Sequence, residues 1–353
     1  MPLDVLDRAR LIVVTGKGGT GKTTVAATLA VAAGQRGRRT LLAEVEGRQG
    51  LAGLFDRQSL GYRETRLVER VNGLAVDPQD ALREYLGRYG FAPLARLLSW
   101  AKLTSFITAA APGLGDVLLV GKVWEVATRR QGRRPVYDLV VLDAPPTGRV
   151  VPFLRAPETV AELARIGPLR HQADRVRELL DDPARTSVLL TCLPEELPVT
   201  ETQEAAVALR AAELPLAAVV ATQVTEDQLG SRAGRLPGLA RDPSPLVAAA
   251  KRADVDLNEE AIAALVAEGR DRQRQIARQR RLLKELHSGL GGLPVVELPL
   301  LLGGAANPEA IRTLAGRIAA SELVGAGPRS EPEGGRQARG DRSAASAKAR
   351  TRS

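Results

Sequence analysis

The chain has 353 residues, 44% of them hydrophobic, with a formal net charge of +9; that is material for one large α/β domain or two smaller ones, not for a small stapled fold. A single cysteine excludes internal disulfides, and no segment offers the roughly 18 uninterrupted apolar residues of a membrane span, so a soluble, cytoplasmic protein without a signal peptide is expected. Residues 266–286 and 325–353 each hold seven bases and three acids, which leaves the remainder nearly neutral and argues against a nucleic-acid partner.

The first element is the apolar run at residues 11–14, followed by Gly16-Lys17-Gly18-Gly19-Thr20-Gly21-Lys22-Thr23-Thr24 and then an alanine-rich helical stretch. Strand, glycine loop and helix in that order form a phosphate cradle: backbone N–H groups wrap a polyphosphate, Lys22 reaches the β/γ oxygens and the Thr23 hydroxyl sits on Mg²⁺. The positive end of the helix adds to it. Gly16, Gly18 and Gly21 also spell a dinucleotide turn, with Glu44 about where a ribose-binding acid belongs. Lys22-Thr23 decides for a nucleoside triphosphate, because a dinucleotide turn has no use for a lysine followed by a hydroxyl. Only seven of the 50 basic residues are lysine, and Lys17 and Lys22 are two of them.

Residues 40–46 read as a second buried strand ending in Glu44 and Glu46. Carboxylates at that end face a nucleotide crevice, where an outer contact to Mg²⁺ and the orientation of water are both open roles, beside that of plain solvated acids. A short strand follows at residues 73–78. Residues 79–131 then change character, holding six of the ten aromatic residues, with apolar positions on two faces of predicted helices at 93–111 and 114–128. Such faces fit either a helix sandwiched within its own subdomain or a groove for a partner or client helix.

The strand at 137–142 runs into Asp143 and the loop Ala144-Pro145-Pro146-Thr147-Gly148. Four apolar residues and an acid downstream of a phosphate loop make a Mg²⁺-holding strand, and the loop beyond it sits where a switch would sense the γ-phosphate. Two helical pieces are expected between 157 and 182, with His171 on the surface. Further buried strands are expected at 187–192, 216–222 and 294–298, less regular chain at 223–258, and a long arginine-rich helix at 259–290. Repeated strand–helix–strand units imply a mainly parallel sheet covered by helices on both faces. A final amphipathic helix follows Asn307, and residues 324–353 read as a disordered basic tail.

These motifs resemble the ArsA-type ATPases over most of residues 10–323. The match rests on the K-G-G-T-G-K-T-T loop, on Asp143-Ala144-Pro145-Pro146-Thr147-Gly148 as a second switch, on Pro112-Gly113-Leu114-Gly115-Asp116, and on Leu193-Pro194-Glu195-Glu196 with Glu201-Thr202. The resemblance implies a P-loop core at residues 1–78 and 132–323, a helical subdomain inserted at 79–131, and a dimer, homomeric or with a related ATPase, that closes around ATP and Mg²⁺. It makes Lys17 the signature lysine of a deviant P-loop, reaching the neighbouring subunit's nucleotide, and Glu46 the group that positions water. Thr222-Gln223 and Pro299 fall where relatives hold adenine. Glu46-Gly47 replaces the usual Asp-Pro, Thr222 an asparagine and Arg149 a histidine. One cysteine cannot build a thiolate site for arsenite. The C-x-x-C zinc pair is absent, and Met1 is the only methionine, so a methionine-lined groove is excluded.

Overall fold

A computed structural model describes residues 4–45, 47, 49–88, 113–163, 168–304 and 307–321. Eight strands form one sheet: β1 Leu11–Gly16, β2 Thr40–Val45, β3 Thr65–Val68, β4 Val71–Val76, β5 Leu139–Asp143, β6 Thr186–Cys192, β7 Leu216–Val224 and β8 Val295–Pro299. Their order is β8-β7-β6-β1-β5-β2-β4-β3. Every neighbouring pair is parallel except β3 against β4.

The main helices are α1 Lys22–Gln35, α2 Pro78–Arg88, α3 Leu114–Thr128, α4 Thr147–Leu163, α5 Pro168–Asp181, α6 Glu196–Ala211, α7 Glu259–Gly289 and α8 Pro308–Ala319. Residues of β1, β2, β5 and β6 are buried along their whole length or nearly so, as expected of strands covered on both faces. Alternate side chains serve two cores. Leu11, Val13, Leu41, Val140 and Leu142 pack with Val123, Phe153, Val176, Leu209 and Leu286 of the helices on one face. Ile12, Val14, Leu42 and Val141 pack on the other face with α1, α8 and the short helices Val5–Arg8 and Gly50–Leu54.

Helix α1 is buried from Val25 to Gly34. Its alanines let sheet and α8 approach it from both sides, and Gly34 permits an approach that a Cβ would block, 2.8 Å from Val71 Cγ2.

The short edge strand β3 was not expected from the sequence. Only Leu67 of its four residues is buried, so it carries no apolar run. Helix α4 begins at Thr147, ten residues before the expected start, and continues through Pro152 and Pro157; the Pro146 carbonyl accepts from Arg149 N–H at 2.8 Å and Val150 N–H at 3.0 Å, which starts the helix immediately after the double proline. The long helix is found at Glu259–Gly289, opened by the Asn258 side chain accepting from Ala261 N–H. Between β7 and α7 the chain forms two helical turns at Gly230–Arg235 and Leu236–Leu239 and a short helix at Ser244–Arg252. Of the expected segment with two apolar faces, residues 93–111 lie outside the described residues, as does the basic tail. Helix α3 buries Leu119, Val120, Val123, Val126 and Ala127, and leaves Leu114, Val117 and Leu118 half-buried.

Candidate nucleotide site

The carboxyl end of β1 lies between those of β5 and β6, with the later strands fanning out on both sides. Ligands of parallel sheets collect at such a point. The loop from Gly16 to Gly21 crosses this end and leads into α1. Gly19 (φ 86) and Gly21 (φ 81) adopt left-handed backbone that a side chain would strain. Gly18 and Gly19 face open space, with nothing within 4 Å of where a Cβ would stand, so a phosphate can approach their N–H groups.

The floor under the loop is built from threonine hydroxyls. Thr15 donates to Pro145 O at 2.7 Å, tying β1 to the loop after β5. Thr20 donates to Lys17 O at 2.7 Å and shares a 2.6 Å hydrogen bond with Thr191 on β6. Thr222 of β7 is buried, and its hydroxyl donates to Thr20 O at 2.9 Å. Hydroxyls near the ends of β6 and β7 thus hold the glycine loop, and that of β1 holds the loop after β5.

Lys22 is buried in the first turn of α1. Next to it, the Thr23 hydroxyl donates to Asp143 Oδ2 at 2.6 Å. The two residues expected to manage Mg²⁺ come from α1 and β5 and meet directly. A hydroxyl and a carboxylate beside an open ring of N–H groups suit a hard, oxygen-seeking cation carried with phosphate. Thr24 stands in the same turn, its carbonyl accepting from Thr28 at 2.7 Å.

Lys17 projects from the loop and ion-pairs with Glu201 of α6 in the same chain, its side chain 46% exposed. Glu46 lies outside the described residues; Gly47 beside it has φ 62. Glu44 pairs in register with Asp143 on the neighbouring strand. It is buried, and its Oε2 accepts from Leu51 N–H at 3.1 Å. Burial pushes the Glu44 carboxyl above its ordinary value, with the N–H groups of Leu51, Gln49 and Gly50 pulling the other way. Glu44 therefore anchors the start of helix Gly50–Leu54, whose Gly50 stands against Thr23: a Cβ there would lie 3.2 Å from Thr23 Cγ2.

Gln223 and Pro299 lie at the ends of the neighbouring strands β7 and β8, where Pro299 pairs with Val224 and Leu300 N–H donates to Val224 O at 2.9 Å. The family model for anion-transporting ATPases of the ArsA type matches residues 9–173 and 163–234. The chain belongs to that family.

Relatives of this chain include ATPase BagA of Mycobacterium tuberculosis, 45% identical over 222 residues, a match covering 61% of this chain and 65% of the relative's own length. ATPase GET3 of Kluyveromyces lactis is 26% identical over 254 residues, covering 61% of this chain and 72% of the relative. ATPase ARSA1 of Chlamydomonas reinhardtii is 24% identical over 280 residues, covering 63% and 36%.

Arg149 of α4, just beyond the Asp143–Gly148 motif, ion-pairs with Asp116 of α3 at 3.1 Å. Helix α4 is thereby joined to α3. The sequence reading missed Thr15 and Thr191, and named Glu201 only as part of a motif, not as the partner of Lys17. A hydroxyl closing an otherwise apolar strand was the available signal for the first two; Glu201 had none beyond its motif.

Proposed function

We propose that the chain binds ATP with Mg²⁺ and hydrolyses it as a dimer, using closure around the nucleotide to act on a client or partner protein through the helical segment at 79–131. The hydrogen bond between Thr23 and Asp143 beside the open glycine loop carries the reading. Support comes from membership of a family whose named relatives are ATPases.

In this reading the loop N–H groups and Lys22 hold the phosphates, and Thr23 and Asp143 hold Mg²⁺. Bound Mg²⁺ would neutralise charge on the phosphate oxygens as the terminal phosphoryl group leaves. Glu46 orients the attacking water, and Lys17 leaves Glu201 to reach across the interface. The base rests by Gln223 and Pro299, with Thr222 supporting the loop from below. The Arg149–Asp116 pair passes the change at the switch to α3. No described helix is long and apolar enough to cross a membrane.

A second reading is favoured by Glu46, one methylene longer than the usual aspartate. A reacting group misplaced by about 1 Å can lose on the order of a hundredfold in rate, and the chain would then be a nucleotide-gated subunit with little hydrolysis of its own. Mg²⁺-ATP turnover per subunit, measured across a wide range of protein concentration with Lys22→Ala as the blank, separates the two. Turnover that rises and then levels off supports the dimeric ATPase. ATP binding without turnover at any concentration supports the gated subunit.

A further inference from the structure

The segment after Thr222 is irregular in a way the strand pattern does not require. Glu297 pairs with Ala221, but Pro299 pairs with Val224, so β7 carries one residue more than β8 across this stretch. That extra residue makes a bulge, a device that re-aims side chains beside functional sites. Gln223 within it has φ 56, a left-handed conformation costly for a residue with a side chain, which persists only where its surroundings enforce it.

The enforcing group comes from the long helix. Gln279 of α7 is buried at 8% exposure. Its Oε1 accepts from Thr225 N–H at 2.8 Å, and its Nε2 donates to Gln223 O at 3.3 Å. The orientation of the amide is forced, because an N–H can only donate and a carbonyl can only accept. One side chain therefore grips the backbone on both sides of Val224, while Ile276 and Leu283, buried one turn either side of it, fix the helix face. The same helix holds the next residues of the loop: Gln273 donates to Asp227 at 3.1 Å, as does Arg280.

We propose that Gln279 is a positioning residue for base recognition, holding the Gln223–Thr225 bulge in the shape that presents Gln223 to the nucleotide base. It acts on the base through this backbone and leaves the phosphate cradle alone, since the loop from Gly16 to Thr23 is supported by Thr20, Thr191 and Thr222. The inference rests on the nucleotide reading above, which places the base by Gln223.

The test uses the full chain and two probes, Mg²⁺-ATP and inorganic tripolyphosphate, which shares the phosphates and lacks the base. Gln279→Met keeps the side-chain volume and removes both hydrogen bonds; it should weaken ATP binding about tenfold, the size of one or two net hydrogen bonds, and leave tripolyphosphate affinity within about twofold. Gln279→Glu keeps the acceptor for Thr225 N–H and sets an oxygen against Gln223 O. It should lose ATP affinity by at least about threefold with tripolyphosphate again unchanged, and it decides the matter if the methionine variant does not fold. Equal losses for both probes, or no loss for ATP in a folded variant, overturn the positioning role. A wild-type chain that binds tripolyphosphate as tightly as ATP removes base recognition at Gln223, and the inference with it. A wild-type chain that binds neither overturns the nucleotide reading itself.

Discussion

A methyl group at Gly16 would lie 2.1 Å from Thr191 Oγ1 and 2.6 Å from the Thr191 carbonyl oxygen. The hydroxyl could rotate away, but the backbone oxygen of β6 cannot. Gly16→Ala should therefore cost about 1–3 kcal/mol of stability in urea unfolding without nucleotide. Gly18→Ala, which meets nothing within 4 Å, should stay within about 0.5 kcal/mol of the wild type. Equal effects of the two would mean that Gly16 is not the point of close approach. The glycine loop was legible in the sequence because its pattern is local: the glycines, Lys22 and Thr23 lie within eight residues between a strand and a helix. Asp143 became legible through the apolar strand that delivers it. Gln279 was not legible. Its partners are backbone groups more than 50 positions away, and among the arginines and glutamines of α7 nothing marks it as the one that turns inward.

At the scale of elements, α3 is fastened to the sheet edge by a chain of alternating charges. Lys122, with a side chain only 9% exposed, bonds Glu84 of α2 at 2.7 Å and Glu125 at 3.1 Å. Arg129 pairs with Glu125 at 2.8 Å and also with Glu64, which in turn accepts from Tyr137. Removing Lys122 leaves two carboxylates facing each other in a half-buried setting, so Lys122→Met should cost about 3 kcal/mol, near the low end for breaking such a pair; thermal unfolding at neutral pH measures it. Burial pushes the Glu125 carboxyl up, but the hydrogen bonds and charges of Arg129 and Lys122 outweigh burial and hold it at about 2, against an ordinary 4.5. Its folded value is the lower one, so its stabilisation is complete above about pH 4.5 and is lost as the pH falls toward about 2. Glu125→Gln should melt at a lower temperature than the wild type at pH 7, with the gap narrowing through that window; a gap that holds constant would remove the charge argument. Elements that bury a continuous apolar run, such as β1, β5 and β6, could be read directly from sequence. The edge strand β3 could not, because pairing to β4 rather than burial makes it a strand.

For the whole molecule, the proposed dimer gives Lys17 a role that a single chain cannot reveal. Lys17→Ala should lower turnover by roughly 10³–10⁵, the range of basic groups supplied across an interface, while ATP binding in the resting chain stays near wild type. Single-turnover hydrolysis beside equilibrium binding separates the two, and unchanged turnover would reduce Lys17 to a surface partner of Glu201. The parallel, doubly covered sheet was legible from the alternation of apolar runs and helical stretches. The order of its strands was not, since nothing in a strand's own residues names its neighbour.

That order carries a consequence for how the molecule is made. The strand bearing the glycine loop is synthesised well before its neighbours β5 and β6: 171 positions separate Thr20 from the Thr191 hydroxyl that supports it. At about 5–20 residues per second, that interval is on the order of 10–30 s on the ribosome. Through all of it the motif waits as an apolar strand and an apolar helix with no floor beneath them, a stretch of exposed surface that a nascent chain must keep from wrong partners. A chain cut short before residue 186 would carry the whole glycine signature without the Thr191 and Thr222 hydroxyls that support it.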